Sequence, residues 1–255
     1  MYNNLLPIAL AILGGILPAL VWLIFWLRED SKHPEPKRMI FRAFIGGGLM
    51  VFFIPFIIRW FANLLPALAS LGNFDRRILE DPGLSSSLHL VFTYVLPIFL
   101  GWALIEEVLK YLSTKVFIFR NKNYDEPIDA MIYLISAALG FSAIENILYL
   151  WSVLEGGEGW TMVFLTGNLR FLGASLLHIV SSATLGFIVA LAFHKPRWQK
   201  ILYALGGLII ATILHATFNL FIIINNSHGI LKTFFVLWLA AVVLLILFEV
   251  IKKRK

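Results

Sequence analysis

Seven long apolar stretches, separated by short polar ones, set the pattern of the chain. They run over Leu5–Leu27, Ile40–Leu68, Leu88–Phe119, Ile128–Trp151, Thr161–Phe193, Ile201–Ile224 and Leu231–Ile251. A helix rises about 1.5 Å per residue, so about 20 residues cross the hydrocarbon core of a bilayer. Every stretch reaches that length. Lipid offers no partner to backbone N–H and C=O groups, so each span must satisfy its own, as a helix does. The pattern therefore predicts an all-α, polytopic membrane protein with about seven transmembrane helices. The third and fifth stretches are overlong, and are expected to tilt, kink or extend into water. Gly72–Ser87, with Asp75, Arg76, Arg77, Glu80 and Asp81, reads as a surface loop or a short interfacial helix. No internal repeat or low-complexity linker divides the chain. Residues 1–255 read as a single integral membrane domain, with the chemistry-bearing helices at roughly 88–224.

Composition strengthens this reading. Hydrophobic residues make up 60% of the chain and charged ones 14%, with a mean hydropathy of +0.85. A soluble domain carries about 25% charged residues. The 22 Phe and 8 Trp suit lipid contact and interfacial anchoring. With no cysteine, disulfides and thiolate metal ligands are excluded. The net charge of +6 is a topology signal rather than a nucleic-acid signal. Fifteen Lys and Arg fall in Arg28–Arg42, after the third and fifth stretches, and in the tail; only Arg59, Arg76, Arg77 and Lys232 fall on the opposite side. The positive-inside rule then places the N-terminus outside and the C-terminus in the cytoplasm. The first stretch has no basic residues before it and a strongly basic segment after it, as expected of a retained anchor rather than a cleaved signal peptide.

Ionisable groups within spans are costly and tend to mark function. The third stretch carries Glu106, Glu107 and Lys110, and the fourth carries Glu145 beside Asn146. The fifth carries Arg170 and His178, and the sixth His215 and Asn219. Counted from the cytoplasmic ends, Glu106 lies roughly 20 Å deep, Glu145 roughly 25 Å, and His178 and His215 roughly 23 Å. Four helices thus place polar groups in one layer. Lys110 is four residues from Glu106 and three from Glu107, so either carboxylate can meet it. The two adjacent glutamates point about 100° apart and are expected to do different work. His215 and Asn219 project from one helix face, and His178 shares a face with Ser181 and Ser182.

Carboxylates and imidazoles in a low-dielectric layer suit general acid–base activation of water, with His and Asn donors for a developing oxyanion. The pattern favours a site that needs no cofactor. The same oxygen and nitrogen donors could instead bind a divalent metal such as zinc. A proton-coupled transporter, or a non-catalytic membrane chaperone, would use the same polar layer. The chain has no His-Glu-x-x-His, nucleophile elbow, P-loop or dinucleotide fingerprint.

The order Glu106-Glu107-x-x-Lys110, Phe141-x-x-x-Glu145-Asn146, His178, His215-x-x-x-Asn219 resembles the PrsW family of intramembrane proteases. So do the stretch Glu126–Tyr133 and an Arg eight residues before the third-motif His, here Arg170. The resemblance covers roughly Leu100–Leu220. It belongs to a wider clan with CAAX prenyl endopeptidases and bacteriocin-immunity membrane proteins. It implies that Glu106 activates water, that Glu107 assists or pairs with Lys110, that His178 is catalytic, and that His215 and Asn219 stabilise the oxyanion. Asn146 and Arg170 take supporting roles. The CAAX branch has a histidine where this chain has Glu145, so the proton relay differs here. By the same resemblance the partners are the lipid bilayer of the cell membrane and a membrane-anchored protein substrate. The family clips regulators such as anti-sigma factors on the extracytoplasmic side.

Overall fold

The computed structural model describes residues 5–29, 34–64, 95–157, 159–224 and 227–254. Among these the chain is helical, with no strand. The helices are α1 (Leu5–Glu29), α2 (Lys37–Met50), α3 (Ile54–Leu64), α4 (Leu96–Phe117), α5 (Asp129–Glu155), α6 (Gly159–Leu169), α7 (Ser175–Leu191), α8 (Arg197–Ile224) and α9 (Ser227–Lys252). Gly72–Ser87 and residues 65–68 and 88–94 of the second and third apolar stretches lie outside the described residues.

Six helical runs among the described residues are long and apolar enough to cross a membrane. Two are composite. α2 and α3 are joined through a 3-10 turn at Val51–Phe53. Pro55 explains the tightening, because it lacks an N–H and its ring crowds the carbonyl four residues back. α6 and α7 join through a π turn at Arg170–Ala174, and together make a run of 33 residues from Gly159 to Leu191. The overlong fifth stretch is thus one helical run interrupted by this π turn. α4 is 22 residues long, enough for about 33 Å, but it carries Glu106, Glu107, Lys110 and Lys115. Its charge, not its length, sets it apart from the six.

α5 lies at the centre of the bundle, packed against α1, α2 and α7. Small residues let it sit there. A Cβ on Gly47 would fall 1.9 Å from the carbonyl oxygen of Ala137, and one on Gly140 would fall 1.8 Å from that of Phe44. α2 and α5 therefore approach backbone to backbone, as small-residue contacts allow in membranes. Gly47→Ala is expected to force these helices apart and cost about 1–3 kcal/mol. A thermal unfolding midpoint in detergent unchanged from wild type would contradict the close approach. With α5 fixed, α4 and α8 pack together on one flank and α7 lies against α5, α8 and α9. The polar residues of α4, α5, α7 and α8 are thereby turned toward one another.

Candidate active site

The centre is built outward from Glu107. Its side chain is fully buried, and both carboxylate oxygens are bonded. Oε1 accepts from Lys110 Nζ at 2.7 Å, Ser181 Oγ at 2.9 Å and His215 Nδ1 at 2.8 Å. Oε2 accepts from Ser182 Oγ at 3.0 Å. The i,i+3 pairing with Lys110 is thus realised, and the i,i+4 alternative through Glu106 is not. Ser181 and Ser182 share the face of His178 because they serve this carboxylate.

The histidines have their tautomers set by their partners. A lysine ammonium only donates, so His178 Nδ1, 2.9 Å from Lys110 Nζ, accepts. Its Nε2–H then donates to Glu145 Oε2 at 2.9 Å. A carboxylate only accepts, so His215 donates from Nδ1 to Glu107, and its Nε2 is turned toward Glu106. The two imidazoles meet edge to face, 5.1 Å between centroids. Phe141 supplies an apolar wall, with Lys110 Nζ 4.9 Å from its ring centre and His178 5.6 Å away. That gives the aromatic position of the second motif a physical role that spacing alone did not show.

Glu106 differs from its neighbour. It is buried, and its Oε2 has no hydrogen-bond partner. It faces His215 Nε2 at 3.7 Å and His178 Nδ1 at 4.0 Å, both beyond hydrogen-bond reach. Three electron-pair donors therefore converge on one small space.

The other end of the network opens outward. The Glu145 side chain is 32% exposed and that of Arg170 is 15% exposed. Arg170 Nη2 donates to Glu145 Oε2 at 2.8 Å and Nε donates to Asn146 Oδ1 at 2.5 Å. Its guanidinium lies 4.5 Å from the ring centre of Tyr149. Arg170 opens the π turn, a feature frequent at functional sites. Asn146 Nδ2 donates to Ser175 Oγ at 3.1 Å and Ser142 Oγ at 3.3 Å. Sequence reasoning did not single out Ser142 or Ser175. Serines are common in apolar helices, and the available signal was Ser142 lying one turn before Asn146. Asn219 is half-buried one turn beyond His215, and no side-chain hydrogen bond joins it to the described residues.

Glu106, His178 and His215 each offer a ligand atom, all within 4.8 Å of one another. Oxygen with two imidazole nitrogens is an ordinary zinc donor set, and three protein ligands with an open fourth position is the catalytic form. The orphaned Oε2 of Glu106 and the neighbouring Nε2 of His215 fit such an ion. Glu107 holds His215 from behind, as carboxylates do for metal-ligating imidazoles.

The fold and this centre define a multi-pass helical membrane protein with carboxylates and imidazoles gathered in its interior. The family model described as PrsW family intramembrane metalloprotease matches residues 35–248, and the chain belongs to that family. It is a membrane peptidase of the cell membrane by that membership. It is 26% identical to a protease PrsW of Geobacillus kaustophilus over 233 residues, covering 89% of this chain and 87% of that one. It is 25% identical to that of Bacillus subtilis, covering 85% and 84%. The protease PrsW of Oceanobacillus iheyensis is 28% identical, with 89% and 91% covered. No solved structure matches the chain.

Proposed function

We propose that this chain is an endopeptidase that hydrolyses a peptide bond of a membrane-anchored protein, a regulator such as an anti-sigma factor, within a single integral membrane domain whose C-terminus is cytoplasmic. Glu106, His178 and His215 are the residues that would hold a divalent metal, zinc by their donor set. Sequence reasoning favoured metal-free chemistry; the geometry favours the other branch. The observation that carries it is the unbonded Glu106 Oε2 facing His215 Nε2 at 3.7 Å, with His178 Nδ1 4.0 Å away. A buried carboxylate oxygen without a donor is costly, and a cation held among these three atoms would satisfy it. An ion held there would supply Lewis-acid chemistry toward a carbonyl or water.

The remaining residues divide the work. Glu107 anchors His215 through Nδ1, which turns Nε2 toward Glu106. Glu145 spends Oε2 on Arg170 and His178, while its partly exposed side chain keeps a second oxygen for a proton. That oxygen takes a proton from the attacking water and returns it to the leaving amine. Arg170 and Asn146 fix the Glu145 side chain from the outer side. Asn219, whose amide makes no side-chain hydrogen bond among the described residues, donates to the oxyanion that develops on the scissile carbonyl.

The test uses purified protein with a membrane-anchored peptide substrate. Strong chelators are expected to abolish cleavage, and added zinc to restore it. Full cleavage in chelator would return the chemistry to Glu106 as the base acting without an ion.

A further inference from the structure

Lys110 has no part in the steps above, yet a lysine at this depth is expensive for a membrane protein. It is completely buried and fully engaged. Its Nζ lies 2.7 Å from Glu107 Oε1 and 2.9 Å from His178 Nδ1, against the face of Phe141. An ammonium cannot accept, so the hydrogen on the second contact belongs to the lysine and occupies the lone pair of Nδ1. That same Nδ1 lies 4.0 Å from Glu106 Oε2, on the side where Glu106 and His215 converge. One lone pair cannot serve both an ammonium and a metal.

We propose that Lys110 competes with the metal for His178 Nδ1, and that a divalent cation enters only by displacing its ammonium onto Glu107. The inference rests on the reading of Glu106, His178 and His215 as the ligand set. The contacts permit the displacement, because Glu107 Oε1 is the shorter of the two bonds and can keep the lysine when His178 is given up.

Charge supports the same conclusion. A metal requires Glu106, His178 and His215 unprotonated, so with Glu107 and Glu145 also counted as anions and Lys110 and Arg170 as cations, the protein groups around it carry one net negative charge. A divalent ion added to that set leaves it positive. Without Lys110 the same ion would neutralise the centre, which a low-dielectric interior favours. Lys110 therefore holds the affinity below what the three donors would otherwise give. It also supplies positive charge to the buried glutamates before any metal arrives, so the bundle need not wait for its ion to fold.

The experiment compares the full-length protein with Lys110→Gln and Lys110→Met in detergent micelles. Co²⁺ is titrated by its visible absorption, and Zn²⁺ by competition against it. Glu106→Gln serves as the control and should bind weakly, which assigns the signal to this centre. Both lysine variants are expected to bind about tenfold or more tightly than wild type. A purely structural lysine predicts the opposite, because a disturbed site binds more loosely. Gln keeps an N–H for Glu107, and Met keeps the volume without a donor, so one variant can report if the other fails to fold. Equal or weaker binding in a folded variant overturns the competition and leaves the metal site standing. No binding in any of the proteins, wild type included, overturns both.

Discussion

Glu106→Gln is expected to lower cleavage of a membrane-anchored substrate by about 10²–10⁴-fold, the range for loss of a group that activates water, while the bundle stays folded. The argument turns on the difference between two adjacent glutamates. Glu107 is bonded on both oxygens by Lys110, Ser181, His215 and Ser182. Glu106 Oε2 has no partner to lose. The amide has the same shape, so packing survives, while the negative charge that would hold an ion or take a proton is gone. The measurement is the initial rate of cleavage beside a thermal unfolding curve of the same preparation. Near-wild-type turnover would remove Glu106 from the chemistry, whether as ligand or as base.

Lys110→Ala is expected to act on stability instead, by about 3–5 kcal/mol, the cost of removing one partner of a buried ion pair. Glu107 would keep the two serine hydroxyls and His215, but would lose its balancing charge. The space beside Phe141 would also be left empty. Equilibrium unfolding in mixed micelles reads the loss. Added zinc should recover part of it, because an ion at Glu106, His178 and His215 supplies the missing positive charge. A variant as stable as wild type without zinc would show that the buried carboxylate needs no cation.

The helices and the polar layer were legible in the sequence for the same reason. Lipid penalises unpaired backbone and charged side chains severely, so apolar runs mark spans, and the rare charges within them have to meet. Glu145, His178 and His215 come from three different helices, yet depth counted along each one was enough to place them together. The division of roles within the layer was not legible. Adjacent Glu106 and Glu107 carry equal signals in sequence, and only the number of donors around each carboxylate separates them. The tautomers of His178 and His215 depend on contacts across helices, which no spacing encodes. Ser142 and Ser175 escaped notice because a hydroxyl in an apolar helix usually bonds its own backbone, as Thr114 and Ser136 do here. The π turn at Arg170 left no signal in the sequence beyond the general expectation that an overlong stretch tilts, kinks or extends into water.

The charge carried by α4 has a consequence for biogenesis. Glu106, Glu107 and Lys110 lie in the inner part of one helix. On insertion scales, ionisable residues such as Asp or Lys cost about 2.5–3.5 kcal/mol each at the centre of a lone helix. α4 is therefore a poor candidate for release into lipid by itself as it leaves the translocon. It becomes tolerable only when Ser181, Ser182 and His178 of α7 and His215 of α8 are present to receive it. Those helices are synthesised later. The nascent chain must then keep α4 sheltered, at the insertion machinery or at the interface, until more than a hundred further residues have been made. The polar centre is thus complete only once α8 has been made, and a ribosome stalled before α8 would leave a chain without it.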